Sequence, residues 1–162
     1  MKKLMVFLVI TALFACNKED DAYPDGAGDL NVLFEFSVFN SQDVDLLDPA
    51  TPNHIEEDDI RLFYEIDGKI LGVYNPYMDY PRNFMIYKHE NEYRIRVFLN
   101  HTDAVDEPIT HIQWNSDDTD VVKATFKRTK YYVRVNRVWL NGTQIWDYAT
   151  DGDDNKYFKL IK

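Results

Sequence analysis

The chain has 162 residues and a formal charge of −10. That is long enough for one domain with a packed core and too acidic for the basic patch that nucleic-acid phosphates call for. Eleven Tyr, ten Phe and three Trp beside only six Gly and six Pro argue against low-complexity disorder for the bulk of the sequence.

Met1-Lys2-Lys3 is a basic head, Leu4–Phe14 is an apolar run broken only by Thr11, and Ala15 and Cys16 close it. This is the layout of a secretory signal peptide, and it is shorter than the roughly 20 apolar residues of a spanning helix. Met1–Ala15 holds two lysines and no acids, so the chain from Cys16 onward carries −12. That charge argues against an electrostatic grip on anionic lipid and favours solubility. Cys16 is the single cysteine, so no disulfide forms within the chain. A buried core thiol fits poorly, because a polar, acidic stretch follows at once.

Leu13-Phe14-Ala15-Cys16 resembles the lipobox of bacterial lipoproteins, although Phe14 stands where a small or aliphatic residue is usual. The resemblance implies that residues 1–15 are removed and that Cys16 is diacylated, giving a membrane anchor through lipid. Each buried CH₂ then contributes about 0.8 kcal/mol, and stable anchoring takes two chains. Residues 16–29 continue as a lipidated cysteine and a flexible acidic tether. Within it, Lys18-Glu19-Asp20-Asp21 resembles the acidic export signal of surface lipoproteins in the Bacteroidota. This implies the outer face of the outer membrane; a merely solvated tether has the same composition.

Residues 30–162 form the expected folded domain. Leu30, Val32, Phe34, Phe36 and Val38 alternate on one face of a first strand. Gln42–Asp59, with Pro49 and Pro52, reads as a long loop. Ile60, Leu62, Tyr64 and Ile66 point inward on the next strand, and Asp67-Gly68 is a two-residue hairpin signal before Lys69–Tyr74. Asn75–Asn83 (NPYMDYPRN) is a loop. Phe84–Lys88 and Tyr93–Leu99 flank a second hairpin turn, with Arg94 and Arg96 on the face opposite Tyr93, Ile95, Val97 and Leu99.

Ile109–Trp114 and Val121–Arg128 flank the turn Asn115–Asp120. In Tyr131–Leu140 the phase slips after Val135, as one extra residue near Asn136-Arg137 would cause in a β-bulge. Asn141-Gly142 is the strongest hairpin signal in the chain, with Thr143–Tyr148 returning across it. Asp151–Asn155 is a turn and Tyr157–Ile161 a closing strand. About nine short strands with turn signals between them, and no sustained 3.6-residue period, predict a single all-β antiparallel sandwich with Greek-key or meander connections. A closed barrel is the alternative. The layout, and Val138-Trp139-Leu140-Asn141-Gly142 with Trp146-Asp147 after it, resembles the immunoglobulin-like or transthyretin-like (prealbumin-like) sandwiches of small Bacteroidota lipoproteins.

Site candidates are sparse. His54, His89, His101 and His111 show no zinc-ligand spacing, and no serine motif pairs with a base. Asp151, Asp153 and Asn155 repeat at positions one, three and five, as in a calcium loop, but Lys156 and Lys162 occupy its glycine and glutamate positions. This excludes an EF-hand. A turn-based Ca²⁺ site, with Asp117, Asp118 and Asp120, stands against plain turn chemistry. Tyr74, Tyr77, Tyr80, Trp114, Trp139 and Trp146 are the candidate ligand contacts, since Tyr and Trp are favoured anchors; the Asn75–Asn83 loop leads because it lies outside the strand alternation. The Asn-X-Thr patterns at Asn100 and Asn141 carry little meaning in a bacterial lipoprotein.

The sequence therefore implies a non-enzymatic, lipid-anchored, surface-exposed cell-envelope protein whose sandwich binds a protein or glycan, with no cofactor and no nucleic acid. A periplasm-facing accessory lipoprotein and, last, a hydrolase are the alternatives. The oligomeric state is not legible.

Overall fold

The computed structural model describes residues 28–162. The signal peptide, Cys16 with its lipidation, and all but the end of the tether lie outside the described residues. The strands are β1 (Asp29–Asn31), β2 (Leu33–Phe39), β3 (Arg61–Ile66), β4 (Lys69–Gly72), β5 (Phe84–His89), β6 (Glu92–Phe98), β7 (Ile109–Asn115), β8 (Asp118–Arg128), β9 (Tyr132–Leu140), β10 (Thr143–Asp147) and β11 (Tyr157–Ile161). One helical turn, α1 (Tyr148–Asp151), and a 3₁₀ turn at Asp153–Asn155 precede β11.

Two sheets face each other. The larger runs β1-β9-β8-β7-β3-β4, with β10 also pairing with β9, and the smaller runs β11-β2-β6-β5. Among the described residues neither sheet closes on itself, so the chain is a sandwich and not a barrel. It is not wholly antiparallel: β1 pairs parallel with β9, and β11 parallel with β2.

The core follows the alternation. Phe34, Phe36 and Val38 of β2 and Ile95 and Val97 of β6 face Leu62, Ile112, Trp114, Val122, Ala124, Val135 and Val138 from the large sheet, all at or below 1 % exposure. Full burial of each large apolar side chain contributes about 1.5–3 kcal/mol. Eleven strands form where about nine were expected, and the first shows why. Val32 divides it: β1 joins the large sheet and β2 the small one, so the chain crosses between layers there. Leu30, expected inward, consequently lies on the peripheral β1 and is 53 % exposed.

The two-residue hairpin turns hold, whereas the expected turn Asn115–Asp120 shrinks because β8 already begins at Asp118, and Asp151–Asn155 is the end of α1 and a 3₁₀ turn. Asp67 and Gly68 adopt φ of 51° and 70°, and Asn141 and Gly142 adopt 48° and 85°, the left-handed pairs a two-residue hairpin needs. Thr125 pairs with Arg137 while Phe126 pairs with Val135, leaving Asn136 as the extra residue of a bulge, where the phase slip places it. A second bulge leaves Ile145 over in β10, because Gln144 pairs with Trp139 but Trp146 with Val138.

Candidate functional site

The β3–β4 hairpin ends the large sheet, and all four residues of β4 are exposed. Ile66 faces Lys69 and Tyr64 faces Leu71, and Val73 N–H donates to the Leu62 carbonyl at 2.9 Å. Bonded and non-bonded pairs alternate along an antiparallel ladder. Ile70 and Gly72 therefore turn their N–H and C=O groups away from β3, toward the open edge.

The loop after β4 is tied at its base. Asn75 N–H donates to the Pro81 carbonyl at 2.7 Å, and Asn83 N–H to Tyr80 at 2.9 Å. Asn83 Nδ2 donates to the Tyr64 hydroxyl at 3.1 Å, which itself donates to the Phe98 carbonyl at 2.7 Å. Burial pushes the Tyr64 phenol up despite the Asn83 contact, so it stays a neutral donor. This anchoring leaves the tip outside. Tyr77 is 95 % exposed, and Tyr74, Met78 and Tyr80 are exposed beside it.

A groove of about 640 Å³ lies between the hairpin and this loop, lined by Arg61, Phe63, Gly72, Val73, Tyr74, Pro81 and Arg82. A Cβ on Gly72 would stand 3.7 Å from the Phe63 ring, so glycine keeps that ring uncovered. The cations belong to the walls. Arg82 pairs with Asp58 at 3.2 Å and sits 5.2 Å over the Phe84 ring, while Arg61 donates to the carbonyls of Asp58 and Ile60. The lining holds no histidine, carboxylate, serine or cysteine. What it offers is aromatic area and unpaired backbone.

The other candidates lie apart. Trp114 and Trp146 are buried in the core and present no face to a ligand. For Trp146 the cause is the bulge at Ile145, which moves it opposite the inward Val138. Trp139 is half-buried under the Lys123 ammonium, 4.8 Å from its ring. It lies four strands from β4, about 19 Å at the usual strand spacing. Asp151 accepts from the Asp147 N–H, and Asp153 pairs with Lys156 at 3.0 Å. Asp118 and Asp120 are held by Lys162, each at 2.7 Å. Among the described residues no group of three or more His, Cys, Asp or Glu side chains is arranged to hold a metal.

The histidines scatter. His54 lies against Thr51 and Glu56, His89 against Tyr87, His101 against the Leu99 carbonyl, and His111 3.9 Å from Glu65.

One polar network escaped the sequence reading. On the outer face of the small sheet, Glu35 lies beside Arg96 and Tyr157 by strand register. Arg96 pairs with Glu35 at 2.6 Å, and Arg94 with Glu92 at 2.6 Å and Glu35 at 3.4 Å. Arg94 stacks 3.8 Å over Tyr157, whose hydroxyl meets Ser37 Oγ at 2.7 Å. Burial raises the Glu35 carboxyl, but hydrogen bonds from Tyr87 and Arg96 outweigh it, and the carboxyl lies below its usual range. Every charge has its partner inside the network, which fastens the parallel strand β11 to β2 and β6. Glu35, Arg94 and Arg96 were legible as outward-facing; their pairing needs the register.

Comparison with known protein families, curated proteins and solved structures finds no match to this chain.

Proposed function

We propose that this protein is a non-enzymatic binding module of the cell envelope, held by lipid on Cys16 and exposed at the cell surface. Its contact site is the groove beside β4 together with Tyr74, Tyr77 and Tyr80, and its partner is a protein or a glycan. The observation that carries the reading is the exposed aromatic tip on a rigid base. Three tyrosines and Met78 of one loop stand in water, Tyr74 among them lines a groove of about 640 Å³, and exposed apolar patches mark interaction sites. The signal peptide, the lipobox-like Leu13-Phe14-Ala15-Cys16 and the acidic run behind it support the anchoring and the outward face.

A photo-reactive phenylalanine analogue placed at Tyr77 in the full chain on living cells tests the site. The control is the same analogue at Tyr131, an exposed residue just before β9. Adducts at Tyr77 and none at Tyr131 are expected; equal labelling, or none, refutes the site. Palmitate labelling and proteinase shaving of intact cells test the location. An unacylated soluble protein overturns the anchor, and a domain cut only after the outer membrane is broken turns it toward the periplasm.

A further inference from the structure

We infer that the open edge of β4 takes an extended, positively charged peptide strand from a partner protein, which pairs with the backbone of Ile70 and Gly72 and lays alternate apolar side chains into the neighbouring groove. This rests on the proposed contact site and names its occupant.

Four observations converge. First, the outward N–H and C=O groups of Ile70 and Gly72 are spaced two residues apart, as the bonded positions of an antiparallel or parallel neighbour are. Second, natural edge strands are blunted by charge, proline or bulges. The outer strands carry such devices: Lys159 lies on β11, Lys88 on β5, Lys69 on β4, and β10 has its bulge. On β4 that lysine sits next to the turn, and beyond it the strand holds no charge, proline or bulge. Ile70 and Leu71 stand in solvent at 59 % and 48 % exposure. Third, Gly72 leaves the approach to the Phe63 ring open, and glycine within a strand marks close approach of another backbone. Fourth, the charge selects the partner. The chain carries −10. Near the edge Asp67 and Asp79 are exposed and Glu65 is half-exposed, against Lys69 on β4 itself, while Arg61 and Arg82 are engaged by their own walls. Two copies of so acidic a chain repel at this edge; a basic strand is drawn to it.

The test pans a displayed library of random dodecapeptides against the full acylated chain in detergent, with counter-selection against Ile70→Pro. That substitution removes one outward N–H and leaves the β3–β4 bonds in place. Enriched peptides should alternate apolar residues with Lys or Arg and bind Ile70→Pro about threefold to tenfold more weakly, the size of one net backbone hydrogen bond. In the unmodified protein the amides of Ile70 and Gly72 should gain protection from hydrogen exchange when such a peptide binds, a readout independent of whether the variant folds well. Acidic or unpatterned winners, equal binding to both proteins, or no enrichment overturn the inference, as does self-association of the free chain through β4 in sedimentation. Labelling at Tyr77 on cells separates the two failures. If it persists, the groove is the contact site but the edge is not; if it is lost as well, both readings fall.

Discussion

Asp120→Ala should be among the most damaging single substitutions in the domain. Asp120 is buried near the start of β8. Its Oδ2 accepts from Trp114 Nε1 and Lys162 Nζ, each at 2.7 Å, and its Oδ1 from Asn141 Nδ2 at 2.7 Å. One carboxylate thus ties together β7, the β9–β10 turn and the C-terminus. The alanine variant strands a buried indole N–H and leaves the half-buried Lys162 ammonium with Asp118 as its one carboxylate partner. Removing one partner of a buried charged group costs about 3–5 kcal/mol, against a total stability of about 5–15 kcal/mol. At about 4 °C per kcal/mol for a domain of this size, Tm should fall by about 12–20 °C. Urea unfolding followed by tryptophan fluorescence measures the loss. Asp118→Ala, whose carboxylate pairs with Lys162 at a more exposed site, is the control and should cost about 0–1 kcal/mol. A loss below about 1 kcal/mol for Asp120→Ala, or equal losses for both, refutes the claim that this carboxylate is a keystone.

The same carboxylate sets an acid limit. Burial raises Asp120, but bonds from Lys162, Asn141 and Trp114 outweigh it and hold the carboxyl below its usual range, as the Glu35 network holds Glu35. A depressed folded pKa stabilises above the unfolded carboxylate range, about pH 4, and that stability is lost as pH falls through the folded value; the urea midpoint should hold from pH 7 to about 5 and drop below about 4, less steeply in Asp120→Asn. Trp114→Phe should cost more than Trp146→Phe, because Trp114 Nε1 donates to Asp120 while the buried Trp146 Nε1 has no hydrogen-bond partner among the described residues; equal losses in calorimetry contradict this. Gly142→Ala should cost about 1–2 kcal/mol, since its φ is 85° and no atom lies within 4 Å of the added Cβ; a neutral result would show that the turn relaxes. Tyr77→Ser should shift stability by no more than about 0.5 kcal/mol and still abolish partner labelling from a reporter at Tyr74; a destabilised fold would assign the tip a structural role.

What the sequence reveals depends on range. Alternation in β2, β3 and β6 is local, so the core residues Phe34, Leu62 and Ile95 are readable without a partner strand. So are Asp67-Gly68 and Asn141-Gly142, whose left-handed φ values the residues themselves favour. The bulge at Asn136 is readable because apolar parity changes across it. The bulge at Ile145 is not: Gln144, Ile145 and Trp146 hold too few apolar positions to show a change of parity, and so Trp146 looks available when it is in the core. Val32 hides a change of sheet inside an unbroken alternation. Long-range register is the remaining loss. Glu35 and Arg96 lie 61 positions apart, and only the pairing of β2 with β6 makes them neighbours. The Tyr77 tip was legible for the opposite reason: two prolines and a lack of alternation remove it from the sheet.

The division of the molecule follows from where its bonds are spent. β8 and β9 are paired on both sides, and the Asp120 and Glu35 networks fasten the C-terminus and β11 to them and to β2. β4 pairs with β3 alone and buries none of its four residues, so opening it forfeits little. Segments with few buried contacts lie at the low-stability end of a fold, and binding surfaces are drawn from that end. An exposed Ile70 and Leu71 are costly in a free monomer only through aggregation, which the charge of −10 opposes. A strand bound at 100 times its Kd would add about 2.7 kcal/mol to the fold, concentrated on this hairpin. On the proposal above, an edge that buries none of its own residues is therefore one that a bound strand would stabilise.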